Sequence, residues 1–324
     1  MKSIVLIVAY FGAFPNYFTA WLKTCRNNPT INWLVITDNT IECGIPENVK
    51  FINIAFEELR KKIQKKYPFY ISLNSPYKLC DFKPAYGEIF QDEIKGYDFW
   101  GHCDMDLLWG DLRCFITDEV LSSYDRLFLH GHLVIYRNSP EINGWYRTLK
   151  PIDPNHTYEK IFSINDNYAF DESGGGSNWG GMNLMVAHAK KRQYSERFFD
   201  DIFYEYNNFV CIRNSEYFRN IPISKAKYIP VCYQIRRGKL YRCFEIENNY
   251  MEEEIMYVHF QKRPITISTT DDEFTLVPNQ IISNLDTQNL IKSGICRHRT
   301  IYGFYLKKRI ENAVKRIRKC LKHE

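Results

Sequence analysis

No part of the 324-residue chain offers the ~20 consecutive apolar residues that a membrane-spanning helix needs. Ten cysteines are present, but none forms a Cys-x-x-Cys pair or stands by a histidine cluster at zinc spacing. Reduced, mostly structural thiols of a cytosolic protein are the simplest reading. No internal repeat and no long low-complexity linker interrupts the chain. The glycine-rich run DESGGGSNWGGMN lacks the Gly-Lys-Ser/Thr ending of a phosphate-binding loop. The start, MKSIVLIVAYFGAF, lacks the small-residue cleavage site of a signal peptide and reads better as a buried first strand. An overall basic surface is also missing. The net charge is +5, yet residues 301–324 carry eight Lys/Arg against two Glu, which is +6, so the remainder nets −1. That balance excludes a broad nucleic-acid-binding face.

What the chain does have is an ordinary globular balance, 45% hydrophobic and 25% charged, with 16% aromatics. SIVLIVAY, NWLVITDN, NVKFINI and YDFWGHCDMD read as strands. PNYFTAWLKTCRNN and AFEELRKKIQKKY read as helices, the second with acids early and lysines late, as the helix dipole prefers. PYKLCDFKPAYGEIF reads as largely helical, restarted at Pro84. The β-α-β-β-α order predicts an α/β sheet, mostly parallel in its first half. The second half alternates short strands (DRLFLHGHLVIYRN, AKYIPVCYQ, EIMYVHFQ) with helical pieces. One catalytic domain is expected over residues 1–265, with an extension over 266–324 that ends in a basic amphipathic helix. In that helix Leu306, Ile310, Ala313, Val314, Ile317 and Leu321 share one face.

In parallel sheets ligands bind beyond the carboxyl ends of the strands. Three polar elements fall there: Tyr10-Phe11-Gly12, Thr37-Asp38-Asn39 and Asp104-Met105-Asp106. Two acids one residue apart lie on one side of an extended chain, where both can approach one cation. The plain alternative is a polar strand end that caps the next element. His259 closes an apolar run, with Gln261, Lys262 and Arg263 behind it; it is either a core histidine or a ligand. Asp81 and Lys83 are either a surface pair or part of a site. Tyr10 could stack a base, and Asp38 could accept from a base N–H or a ribose hydroxyl. In the glycine-rich loop, Trp179 is a candidate acceptor platform, and Asp171 or Glu172 a candidate general base, with Asp166 a weaker one.

Together, Asp104-Met105-Asp106, CDFKPAYGEIF upstream of it and the late YVHFQKRP resemble nucleotide-sugar-dependent glycosyltransferases of the GT-A fold, over roughly residues 3 to 263. The first is similar to the family's DXD motif. The second is similar to its S-D-x-x-R-x-x-x-L helix, with Asp81 at the aspartate and Lys83 one position early in place of the arginine. The third is similar to the late histidine that completes the metal shell. The resemblance implies a GT-A-like, Rossmann-type mixed sheet with flanking helices, and Mn2+ or Mg2+ held by Asp104, Asp106 and His259. It implies a UDP- or GDP-linked donor, with Tyr10, Asp38, Asp81, Lys83, Asp104 and Lys262 as donor-side residues. Its acceptor would be a glycan or lipid-linked glycan of bacterial surface polysaccharide synthesis. The enzyme would be cytoplasmic, peripheral on the inner face of the membrane through its basic helix. A metal-dependent phosphoesterase or nucleotidyltransferase, or a non-catalytic carbohydrate-binding protein, would share many of these features.

Overall fold

The structure is a computed structural model that describes residues 1–41, 44–175, 180–202, 228–261 and 263–296, with Phe209, Lys225, Ile310 and Ala313. Trp179, Lys262 and all of the expected C-terminal helix but Ile310 and Ala313 lie outside the described residues. The chain forms two compact units. The first comprises residues 1–105 and 112–197; the second comprises residues 106–111 and 198–324. The expected boundary at residue 265 falls inside the second unit.

The first unit is the α/β mixed sheet with flanking helices that the sequence predicts. Strands β1 (Ile4–Ala9), β2 (Ile31–Thr37), β3 (Val49–Asn53) and β4 (Phe99–Cys103) run parallel in the order β3-β2-β1-β4. Residues Ile4 to Val8 and Phe99 to Cys103 are buried without alternation, as strands covered on both faces must be. Helix α1 (Phe18–Arg26) turns Phe18, Trp21, Leu22 and Cys25 inward. Helix α2 (Phe56–Gln64) buries only Leu59 and Ile63. β5 (Leu107–Trp109) is given to the second unit. In the first, β6 (Arg126–His130) and β7 (Leu133–Arg137) extend the sheet antiparallel, and β8 (Gln193–Tyr194) ends it. The chain passes from β1 to β2 to β3 on one side of β1, then returns to lay β4 on the other. The crevice at the carboxyl ends of β1 and β4 is therefore a topological switch point, where open α/β sheets bind ligands.

In the second unit, β13 (Tyr257–His259) lies between β5, antiparallel, and β9 (Phe199–Asp201), parallel. A six-stranded sheet holds β10 (Val231–Arg236), β11 (Lys239–Ile246), β12 (Asn249–Ile255), β14 (Thr266–Ile267), β15 (Phe274–Val277) and β16 (Gln280–Ser283). Arg237 and Gly238, both at positive φ, make the two-residue turn between β10 and β11. EIMYVHFQ is not one strand. It breaks at Met256, and its two halves enter different sheets, which frees Tyr257–His259 to pair with β5.

Gly101, in the middle of β4, has its Cα against the Val134 carbonyl oxygen and the Leu6 side chain; an added methyl would run into both. Gly101→Ala should destabilise the protein by about 1–3 kcal/mol in denaturant titration. An unchanged midpoint would show that β4 and β7 can separate there.

Candidate functional site

Polar groups gather at the carboxyl ends of the first unit's parallel strands. Beyond β2, Asp38 is exposed and accepts the Gly12 amide at 3.1 Å, while Asn39 Nδ2 donates to the Gly12 carbonyl at 2.7 Å. These bonds shape the turn after β1, where Gly12 takes a φ of +89°. Tyr10, in that turn, stacks on Phe14 at 5.6 Å between ring centroids.

After β4 comes Asp104, whose backbone amide donates to the His132 carbonyl. Its carboxylate accepts Lys83 Nζ at 2.8 Å. Lys83 is buried; it also donates to the Gly131 carbonyl at 2.8 Å, and it forms an ion pair with the Asp171 carboxylate at 3.3 Å. Two N–H bonds thus have acceptors, and a second carboxylate lies beside the charge. Burial works to lower the Lys83 pKa, but the charges of Asp104 and Asp171 outweigh it and hold the ammonium well above its ordinary value. Lys83, expected on the donor side, is held in this structure by two carboxylates and a carbonyl. It is the hub that fixes two acids.

Asp171 is buried, and its pKa is raised to about 7. Burial is the main cause; Lys83 opposes it, and the charges of Glu172 and Asp104 add to it. A carboxyl poised near neutrality suits proton transfer. Glu172 Oε1 accepts the Gly131 amide at 2.7 Å. Gly131 lies between β6 and β7 with Asp171 Oδ2 and Glu172 packed on its Cα, leaving no room for a side chain. Just before it, the β6–β7 register shifts and Phe128 takes a φ of +70°, a bulge beside the acids.

Asp81 is not a surface residue. It is fully buried, and its carboxylate accepts Lys78 Nζ at 2.7 Å, the Tyr168 amide at 2.9 Å and the Phe170 amide at 3.0 Å. Lys78 also donates to the Ile161 and Asp166 carbonyls. Through those bonds Asp81, expected on the donor side, holds the segment that carries Asp171. Asp166 contributes its carbonyl to the same lattice.

The second unit brings together Asp106, His259 and an acid the sequence reading missed. The Phe260 amide donates to the Asp106 carbonyl at 3.1 Å, which sets Asp106 beside the end of β13. In the β9–β13 register His259 lies opposite Asp201. His259 Nδ1 donates to Asp201 Oδ1 at 2.9 Å, and Nε2 lies 3.4 Å from Asp106 Oδ1. Gln261 Nε2 also donates to Asp201, at 2.7 Å. Burial would lower the imidazole pKa, but Asp106 and Asp201 raise it to about 10. Successive strand residues face opposite ways, so Asp200 points away from Asp201. It is anchored by Arg242 at 2.6 Å and by the Tyr233 hydroxyl at 2.9 Å. The signal for Asp201 was in view as two acids inside the apolar run FFDDIF.

The -Asp104-Met105-Asp106- stretch passes from one unit to the other, so its acids serve different clusters: Asp104 pairs with Lys83, and Asp106 with His259. No helix among the described residues is long and apolar enough to cross a membrane. The described cysteines Cys25, Cys80, Cys103, Cys114, Cys232, Cys243 and Cys296 are free thiols.

A family model covering residues 6–285 places the chain in a family of unknown function, DUF6625; the chain belongs to that family. No curated protein matches it. Among solved structures it is similar to the galactosyltransferase LgtC in complex with donor and acceptor sugar analogues. The identity is 11%, over 79% of this chain and 87% of that one, with a TM-score of 0.37. An active-site mutant of LgtC is also 11% identical, over 80% and 88%, at 0.36. The glycosyltransferase GlyE of Streptococcus pneumoniae TIGR4 is 11% identical, over 60% and 45%, at 0.32. Identities and TM-scores this low carry no function across.

Two outcomes follow from the first unit. Asp81→Ala leaves the Lys78 ammonium buried without its carboxylate and should cost about 3–5 kcal/mol of stability. Adding Lys78→Met should restore part of that loss; a double variant less stable than the single one would refute the pairing. Glu172→Gln keeps the acceptor for the Gly131 amide and deletes a charge that raises the Asp171 pKa. The Asp171 carboxyl, followed by carbon NMR, should then titrate below about 7. An unmoved midpoint would remove Glu172 from the account.

Proposed function

We propose that the protein is a metal-dependent glycosyltransferase that moves a sugar from a UDP- or GDP-linked donor to a hydroxyl of a glycan or lipid-linked glycan in surface polysaccharide synthesis. The observation that carries this reading is the Asp106–His259 pair, with Asp201 holding the far side of the imidazole. The donor set fits a divalent cation. Asp106 offers a hard carboxylate oxygen, and once the cation takes the place of the Nε2 proton, the Asp201 bond to Nδ1 would keep the imidazole oriented with Nε2 as the ligand atom. Imidazole suits Mn2+ better than Mg2+. Asp106 and His259 would hold the cation, with Asp104 on the ribose or on a metal-bound water. Bound there, it supplies positive charge against the nucleoside diphosphate leaving group.

The other steps belong to the chain's own side chains. Tyr10 stacks the base, and Asp38, exposed beyond β2, accepts from a base N–H or a ribose hydroxyl. Asp171, ionised above its raised pKa, takes the proton of the attacking acceptor hydroxyl. Lys83 keeps Asp171 and Asp104 in place and stays charged throughout. Trp179 is assigned to the acceptor side and Lys262 to the diphosphate, on the sequence alone. The site would work at the cytoplasmic face of the cell membrane, reached through the basic C-terminal helix.

The test is a thermal-shift panel of UDP- and GDP-sugars with and without Mn2+, followed by mass spectrometry of acceptor glycans. A nucleotide sugar at a hundredfold excess over its Kd should stabilise the protein by roughly 2.7 kcal/mol. The shift should need the metal and should vanish, with transfer, in Asp106→Asn. Full transfer in excess EDTA, or no metal-dependent shift with any nucleotide, would overturn the proposal.

A further inference from the structure

At the carboxyl end of α2 the chain carries an exposed groove of about 670 Å3, lined by Arg60, Lys61, Lys65, Phe69, Tyr70 and their neighbours. Its floor is held firmly. Gln64 Nε2 donates to the Phe69 carbonyl at 2.7 Å, and the Ile71 amide donates back to Gln64 Oε1 at 3.0 Å. Ser163 Oγ donates to the Tyr70 carbonyl at 2.9 Å, and the Ser72 amide to the Phe162 carbonyl at 2.7 Å. The loop from Tyr67 to Ser72 is thus fixed against both α2 and the 162–163 segment.

On this fixed base sit groups that folding leaves unused. Tyr70 is 67% exposed and Ile164, next to Ser163, is 41% exposed. Phe69 turns inward onto Tyr67 and Tyr158, whereas no ring among the described residues stacks on Tyr70. The cations divide in the same way. Arg60 pairs with Glu57 and Lys62 with Glu93, but Lys61, Lys65 and Lys66 are exposed and make no ion pair among the described residues. Tyr70, Lys61 and Lys65 line the groove, Lys66 follows Lys65, and Ile164 follows the serine bonded to the Tyr70 carbonyl, so exposed apolar groups and unspent lysines gather around one loop. Apolar groups of this kind enter the headgroup boundary of a bilayer while lysines meet its phosphates.

We infer that this face, built from the end of α2 and the 68–71 loop, docks the protein on a bilayer rich in anionic phospholipid. The charge complementarity selects that occupant over a neutral bilayer, and the exposed Tyr70 and Ile164 select it over a soluble polyanion. The face also bears on the site. Seven residues beyond Tyr70, Tyr77 is 56% exposed in the turn Pro76–Lys78 that leads into the Asp81 helix. A bilayer under Tyr70 would bring the approach to Lys83, Asp104 and Asp171 close to lipid-borne acceptors. The inference does not rest on the proposed transfer chemistry, and it is separate from the basic C-terminal helix.

The experiment is co-sedimentation with phosphatidylcholine vesicles, with and without phosphatidylglycerol. It uses the full chain, Lys61→Glu/Lys65→Glu/Lys66→Glu, Tyr70→Ser/Ile164→Ser and a chain lacking residues 301–324. All five substituted side chains are partly or fully exposed, so melting temperatures should stay close to that of the unaltered chain. Binding should require phosphatidylglycerol. Charge reversal should weaken it by about a hundredfold or more, three lysines counting about 1 kcal/mol each. The serine pair should abolish the part of binding that survives high salt, and the shortened chain should keep a lysine-dependent component. Equal binding to both vesicle types, or charge reversal without effect, would overturn the inference. So would a serine pair that binds like the unaltered chain at every salt concentration, since the ligand would then be any soluble polyanion.

Discussion

One buried ammonium governs the geometry of the first unit's acids. A lysine head group out of water is tolerable only where each of its donors meets an acceptor and a negative charge lies close by. Lys83 donates to Asp104 and Gly131 and has the Asp171 carboxylate as a second negative charge at 3.3 Å. Those three residues come from the end of β4, the β6–β7 turn and the segment before the glycine-rich run. The bare Cα of Gly131 lets the Asp171 carboxylate come close enough to share the cation. The same closeness sets the acidity of Asp171: burial and neighbouring carboxylates push it up, and the ammonium restrains it near neutrality.

The second unit solves a matching problem with a strand that has two occupied faces. In β9, Asp200 is locked from one side by Arg242 and Tyr233, and Asp201 faces the imidazole on the other. Because the backbone is pinned by the first acid, the second has little freedom to swing. A histidine oriented in this way presents a chosen nitrogen, which is what a ligand or a proton carrier requires.

Much of the fold was legible because its signals are local. SIVLIVAY, NWLVITDN and the run ending at Cys103 are continuous apolar stretches bounded by polar turns, and each became a parallel strand. Asp104, Asp106 and His259 stood out in the sequence because each ends an apolar run; the structure pairs Asp104 with Lys83 and Asp106 with His259. The partners were not legible, because a partner is a long-range fact. Asp81 looks the same in sequence whether it faces solvent or accepts amides from Tyr168 and Phe170, some ninety residues away. Its cation also turned out to be Lys78, one helical turn earlier, and not Lys83. Asp201 was hidden because its meaning arises only when β9 pairs beside β13 in one particular register. The break of EIMYVHFQ at Met256 was hidden because hydrophobicity alone does not say which of two sheets a residue will join.

Residues 106–111 give the second unit a strand that the first unit's chain delivers. β5 pairs with β13, the Gly110 amide reaches the Met256 carbonyl, and the Phe260 amide reaches the Asp106 carbonyl. The units are therefore not beads on a string. A fragment beginning at residue 198 would leave β13 with an open edge and lose an acid from its cluster, while one ending at 197 would carry six residues with no sheet to enter. A lineage could not have gained or lost either unit by one cut and one join.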